Sequence, residues 1–166
     1  ADPDIARSGT VHVGGTRAEL AAAEADVAAG RHPARPYVLV AQPSSFDATR
    51  APEGRHVLWT YTHVPNGSDV DMTETIVRQI ERFAPGFRDR ILASTSTSAV
   101  RLEVDNPNYI GGDIAIGRGD AYHLIARPRL SPKPWRTGAK GLYLCSSATP
   151  PGPGVHGQAG FHAALT

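Results

Sequence analysis

The chain predicts an α+β fold, a mixed and largely antiparallel sheet with helices gathered on one side. Three observations predict it. Short β-branched runs recur early and are joined by hairpin-like or long connections, not by regular crossover helices. Helical periodicity is bunched between those runs. Glycine (17 residues) and proline (14) punctuate a chain of only 166, which makes loops numerous. A short strand, a loop and a helix close the sequence and read as part of a different unit.

The stretch from Ala6 to Val13 alternates loosely, with Ile5, Thr10, Val11 and Val13 as its apolar or β-branched members, and Gly14-Gly15 closes it. Thr16 followed three places later by Glu19 is a capping-box pattern, which opens an Ala-rich helix from Ala18 to Ala29. Gly30 stops that helix. Two prolines make Arg31 to Pro36 a loop. Tyr37 to Ala41 is a compact strand ended by Gln42-Pro43.

Ser44 to Gly54 carries turn residues and reads as a connection. His56 to Val64 is the strongest strand signal, rich in aromatic and β-branched residues, and it pairs with the strand before it. Pro65-Asn66-Gly67 ends it. Asp71 or Ser68 caps a helix from Met72 to Phe83, whose Ile76, Ile80 and Phe83 repeat at helical spacing. Pro85-Gly86 breaks it, a short helix spans Phe87 to Leu92, and Ser94 to Ser98 is polar loop. Ala99 to Val104 is expected as a short helix.

Turn residues crowd Asn106 to Gly119 around a β-like Ile114-Ala115-Ile116. Tyr122 to Ile125 fits helix or strand, and Arg127 to Pro134 is a proline-punctuated crossing. Leu142 to Cys145 is expected as a buried strand. The loop Ser146 to Gly157 follows, and then a helix start of small residues (Gly157, Ala159, Gly160, Ala163, Ala164). That helix is short, which suggests truncation.

Composition bounds the function. An apolar content of 40%, a charged content of 20% and a net charge of +1 describe a globular domain and exclude a strongly basic nucleic-acid binder. No apolar run approaches the roughly 18 residues that a bilayer requires. The single cysteine, Cys145, allows no internal disulfide framework, and a cytoplasmic location is expected. Buried in its apolar run, Cys145 reads as a small hydrophobe. Seven histidines make no metal-ligand spacing such as H-E-x-x-H, so no metal site is expected. His56 and His63, seven apart on a strand, face opposite sides. No G-x-S-x-G elbow is present. Trp59, Tyr61 and Trp135 read as core or domain-interface residues.

The tail carries the strongest functional signal. A strand, a loop of glycine and proline (Ser146-Ser147-Ala148-Thr149-Pro150-Pro151-Gly152-Pro153-Gly154-Val155-His156-Gly157) and a small-residue helix start let backbone approach a ligand closely and aim amide donors at it. This segment closely resembles the C-terminal flavin-binding signature of the phytoene-dehydrogenase-like flavoproteins, relatives of carotenoid desaturases and amine oxidases. Further blocks resemble that family in order: Arg50-Ala51-Pro52-Glu53-Gly54-Arg55-His56, Ile80 to Phe87, Asn106 to Asp113, Arg127-Pro128, Trp135-Arg136-Thr137 and Gly141 to Cys145. Together they cover most of the chain.

The resemblance implies a substrate-binding subdomain over residues 1–138 and the returning strand–loop–helix of an FAD-binding domain over 139–166. It implies a C-terminal portion of an FAD-dependent oxidoreductase, dehydrogenase- or desaturase-like, acting on a hydrophobic small molecule. Cofactor-binding positions would be Ser146, Ser147, Gly152, Gly154, Val155, His156 and Gly157. The amides of Val155, His156 and Gly157 would favour the negative charge of a reduced isoalloxazine. Ser146 and Ser147 would lie near the ribityl chain or pyrophosphate. No catalytic residue is assigned.

The chain also departs from the pattern. Pro153 stands where the family's loop has its middle glycine, and a proline offers no N–H. Gln158-Ala159-Gly160-Phe161 replaces the usual Met-x-Gly-Tyr. No G-x-G-x-x-G follows a strand, so the expected partner is an N-terminal FAD-binding half, without which the chain is inactive and retains no FAD. Self-association as a homodimer and peripheral membrane contact stay open as further partnerships. The alternative is a flavin-free interaction or dimerisation module derived from such an enzyme.

Overall fold

The computed structural model describes residues 7–117 and 119–166. The chain divides into two compact units, residues 1–98 and 99–166. The described fold is α+β, with one three-stranded antiparallel sheet in the order β1-β2-β3.

The first unit begins with β1 (Thr10–Val13). Ile5 and Ala6, expected in this strand, lie outside the described residues. Helix α1 (Arg17–Ala28) follows, and its capping box is complete. Thr16 Oγ1 accepts from the Glu19 amide at 3.2 Å while Glu19 Oε2 accepts from the Thr16 amide at 2.9 Å. Gly30 adopts φ +76° beyond the helix end, the left-handed turn that the sequence places there.

Strand β2 (Val38–Ala41) pairs with β1 through Val13↔Val38 to Thr10↔Ala41. Strand β3 (Trp59–Tyr61) pairs with β2 through Leu39↔Tyr61 and Ala41↔Trp59. The expected strand over His56 to Val64 is therefore much shorter than its composition suggests. Its partner explains this: after Ala41 the chain enters a 3-10 turn at Pro43–Ser45, so there is no ladder left for residues 56–58. Ser44 Oγ instead accepts from the Val57 amide at 3.1 Å.

Helix α2 (Thr73–Glu81) packs against β2. Of the two expected caps, Asp71 accepts from the Thr73 amide at 2.8 Å, whereas Ser68 is buried against His32 at 2.7 Å. Val38, Met72, Val77 and Ile80 form the buried apolar core of this unit together with Ala23. Phe83, expected on the core face, is 53% exposed, because α2 ends at Glu81 and the chain has left the helical track. The segment expected as a helix through Leu92 is a single 3-10 turn at Arg88–Arg90.

The even and odd positions of the sheet differ. Val11, Val13, Val38 and Val40 share one face by register, and Val38 is fully buried. The other face carries an aromatic row: Trp59–Tyr61, Tyr61–His63, Tyr37–His63 and His12–Tyr37 rings are all in contact, with centroids 5.1 to 6.0 Å apart. His63 also meets Glu24 of α1 at 2.8 Å, while His56 turns to Ser44.

The second unit starts with α3 (Ala99–Asp105). A 3-10 turn at Ile110–Gly112 lies against it, held by the Gly111 amide donating to Glu103 Oε2 at 3.0 Å. Gly112 has φ +83°, and a Cβ there would stand 2.5 Å from the Ala99 Cα. Only glycine satisfies both demands.

The β-like Ile114-Ala115-Ile116 is a turn. Asp113 accepts from the amides of Ala115 at 2.9 Å and Gly117 at 2.7 Å, which captures the donors that a strand would need. Helix α4 (Ala121–Ile125) resolves the ambiguous segment, capped by Asp120 accepting from the His123 amide at 2.9 Å. Helix α5 (Gln158–Ala164) closes the unit. The buried residues of this unit include Ala99, Gly111, Ala126, Arg127, Pro134, Thr149, Gly152 and Ala163, a sparse core of mostly small side chains and one arginine.

Candidate functional site: the glycine–proline bend

The approach to the bend differs from expectation. Leu142, Tyr143 and Leu144 are 59%, 41% and 44% exposed, and Cys145 is exposed as well. The expected burial of this run, and of Cys145 as a small core residue, is thus overturned. The reason is local pairing. Leu144 N–H donates to the Trp135 carbonyl at 2.7 Å and Thr137 N–H to the Leu142 carbonyl at 3.2 Å, around a single antiparallel bridge between Arg136 and Tyr143. The run folds back on its own neighbour and covers no larger sheet.

Beyond Cys145 the chain turns tightly. Thr149 is fully buried, and both its amide (3.0 Å) and hydroxyl (2.8 Å) donate to the Ser146 carbonyl. Ser146 Oγ accepts from the Ala148 amide at 3.1 Å. The Gly152 amide donates to the Thr149 carbonyl at 2.9 Å. From outside, the Trp135 indole donates to the Pro150 carbonyl at 2.9 Å and stacks on His162 of α5, with centroids 5.3 Å apart and planes at 23°.

Arg127 is the interior anchor. It is 8% exposed, and its guanidinium donates to the carbonyls of Ser147 at 2.9 Å and Gly117 at 3.0 Å. Gly152 leans on it: a Cβ there would lie 3.1 Å from an Arg127 terminal nitrogen. The sequence marks Arg127 only as half of an Arg-Pro block. A lone arginine gives no periodic signal of burial, so its anchoring role is invisible without coordinates.

The seven expected site residues therefore separate into two groups. Ser146, Ser147 and Gly152 belong to the inner turn, where their backbone groups bond Thr149 and Arg127 and the Ser146 hydroxyl accepts from the Ala148 amide. Gly154, Val155, His156 and Gly157 form an exposed outer bend. Gly152, Gly154 and Gly157 adopt φ +96°, +83° and +81°, left-handed positions where a side chain is strained. A Cβ on Gly154 or Gly157 would meet nothing within 4 Å, so the surface beside the outer bend is open. Among the described residues, the amides of Val155, His156 and Gly157 donate to no protein acceptor. Such an arrangement offers donors to an anionic or carbonyl-bearing edge.

A cleft of about 250 Å³ lies beside the inner turn, lined by Arg127, His123 and Pro150 among others. Among the described residues, no group of three or more His, Cys, Asp or Glu side chains is placed to hold a metal ion, and no helix is long and apolar enough to cross a membrane.

Two curated mammalian proteins are similar to this chain. It is 33% identical over 151 residues to pyridine nucleotide-disulfide oxidoreductase domain-containing protein 2 of Mus musculus, and 33% identical over 153 residues to the protein of that name from Rattus norvegicus. Each match takes 84% of this chain but only 26% of the relative. The chain thus spans about a quarter of the length of the curated relatives it matches. No family model matches, and no solved structure matches. The similarity supports an oxidoreductase-like origin. It does not single out the phytoene-dehydrogenase-like subtype.

Proposed function

We propose that this chain is the C-terminal portion of an FAD-dependent oxidoreductase of the phytoene-dehydrogenase-like type. One observation carries the reading. The outer bend Gly154 to Gly157 presents successive amides, unpaired among the described residues, beside an open surface, in a chain related to a pyridine nucleotide-disulfide oxidoreductase domain protein.

The residues present fit one edge of a flavin. Val155, His156 and Gly157 would hold the pyrimidine edge through their N–H groups, and the left-handed glycines keep side chains out of its way. Bound there, FAD would accept a hydride equivalent from the substrate. The chain's own part is electrostatic, since fixed amide dipoles favour negative charge without reorganisation. Pro153 supplies no N–H, so the hold is narrower than a three-glycine loop would give. The carbonyls of Ser146 and Ser147 are engaged in the inner turn by Thr149 and Arg127, so they support the bend's shape.

On this reading residues 1–138 supply the substrate side and 139–166 return to the flavin domain. The substrate is a hydrophobic small molecule, and the aromatic row Trp59, Tyr61, Tyr37 on the sheet suits one. The missing partner is an N-terminal half that holds the adenine and pyrophosphate. A cytoplasmic setting goes with the single thiol, Cys145.

The test is flavin content of the longer protein with and without Gly157→Val. At φ +81° a β-branched residue is disfavoured, so the variant should lose flavin while keeping its helical signal. Unchanged flavin content would count against the bend as a flavin contact.

The alternative, a flavin-free dimerisation module, draws on a specific feature. Tyr122, Leu124, Ile125 and Leu130 are 67 to 75% exposed, an apolar surface that a second copy would cover. Sedimentation separates the two: a specific dimer of this chain favours the module, and a monomer favours the enzyme portion.

A further inference from the structure

We propose that the second unit docks on an anionic lipid bilayer through the exposed apolar side chains of α4 and the basic turns that follow it. The inference goes beyond the flavin reading and does not rest on it.

Charge is divided sharply along the chain. All 16 acidic residues lie at or before Asp120, whereas residues 121–166 hold five lysines and arginines and no acid. Of these, Arg127 is buried and bonded to main-chain carbonyls. Arg129, Lys133, Arg136 and Lys140 are all exposed. The unit's own carboxylates are engaged where they stand. Glu103 accepts from the Gly111 amide, and Asp105 pairs with Arg101 at 2.9 Å. Asp113 accepts from the Ala115 and Gly117 amides, and Asp120 caps α4.

The same stretch exposes its large apolar side chains. Tyr122, Leu124 and Ile125 of α4, and Leu130 beyond it, are 67%, 75%, 73% and 74% exposed. Arg129 donates to the Arg136 carbonyl at 3.0 Å, which closes the turn that carries Leu130 and Lys133. Arg136 in turn bridges to Tyr143, with Lys140 in the turn between them. Exposed apolar and basic side chains therefore share one continuous run of turns.

That combination selects the occupant. Leucine, isoleucine and tyrosine insert at the boundary of headgroups and acyl chains, while lysine and arginine reach back to anionic headgroups. Each cation at such a surface adds about fivefold in affinity, and each buried leucine about tenfold. A second copy would set one basic surface against another, and like charges oppose that contact. An acidic protein would satisfy the charge. A bilayer also takes up scattered apolar side chains without having to match their shape.

Co-sedimentation of the 166-residue chain with large unilamellar vesicles tests this. Phosphatidylcholine vesicles with about 30% phosphatidylserine should bind it at least about tenfold more tightly than phosphatidylcholine alone. Raising salt from about 0.1 M to about 1 M shortens the screening length from about 10 Å to about 3 Å and should remove that preference. The double variant Lys133→Glu/Lys140→Glu should bind anionic vesicles at least about tenfold more weakly. Leu124→Ser/Ile125→Ser should do the same. Both change exposed side chains, and circular dichroism checks that they fold. Absence of binding to anionic vesicles overturns the proposal, as does equal binding to neutral ones or unchanged binding in either folded variant. A stable dimer that leaves vesicles unbound overturns it in favour of a second copy. Capture by poly-glutamate without capture by vesicles overturns it in favour of an acidic protein.

Discussion

The indole N–H of Trp135 donates to the carbonyl of Pro150 at 2.9 Å, across 15 residues of chain. With it, a side chain from outside the bend closes the turn on which the candidate site is built. Replacing Trp135 by Phe keeps an aromatic ring against His162 but removes the donor. The expected cost is about 1 kcal/mol, the net worth of a typical neutral hydrogen bond. Urea unfolding should show a lower midpoint with an unchanged slope.

Gly112 offers a sharper contrast. A Cβ there would lie 2.5 Å from the Ala99 backbone, and φ is +83°, so strain and overlap combine. Gly112→Ala should destabilise by about 3 kcal/mol. Gly54→Ala is the comparison: φ is +70°, yet nothing stands within 4 Å. That change should cost about 1 kcal/mol. Equal effects on the unfolding midpoint would show that α3 and the Ile110–Gly112 turn are not in contact.

Asp47 contributes to the acid limb, and so does Glu19. The Thr16 amide, then Arg35 and Arg82, hold its carboxyl at about 2, below the usual 4.5. Arg82 contacts it at 2.7 Å and Arg35 at 2.9 Å. A depressed folded-state pKa means stability that is present above pH 4.5 and lost as pH falls toward 2. Glu19→Gln should therefore flatten the pH dependence of the thermal midpoint across that window. An identical acid limb in the variant would contradict this role.

Much of the first unit is legible in the sequence because its signals are local. The Thr16–Glu19 box, the stop at Gly30 and the β2–β3 pairing each depend on residues within one element or its neighbour, and each forms as expected. The misread segments have a common cause. His56 to Val64 has the composition of a long strand, but a ladder is only as long as its partner, and Pro43 ends β2. Leu142 to Cys145 has the composition of a buried strand, but its backbone is engaged nearby, the Leu144 amide donating to Trp135 and the Leu142 carbonyl accepting from Thr137. Ile114 to Ile116 loses its donors to Asp113. In each case a competing hydrogen bond decided the outcome, and composition does not report competition.

The bend divides in the same way. Its glycines announce left-handed backbone, and the structure has them so at 152, 154 and 157. That Gly152 faces a buried arginine while Gly154 and Gly157 face open space is a tertiary fact, invisible in a string of glycines and prolines.

The most direct measurement is the absorption spectrum of a longer protein that joins this chain to the proposed N-terminal FAD-binding half. A flavin spectrum with FAD equimolar to protein is expected from it, and none from the 166-residue chain alone. A colourless longer protein that takes up no added FAD would contradict the flavin reading.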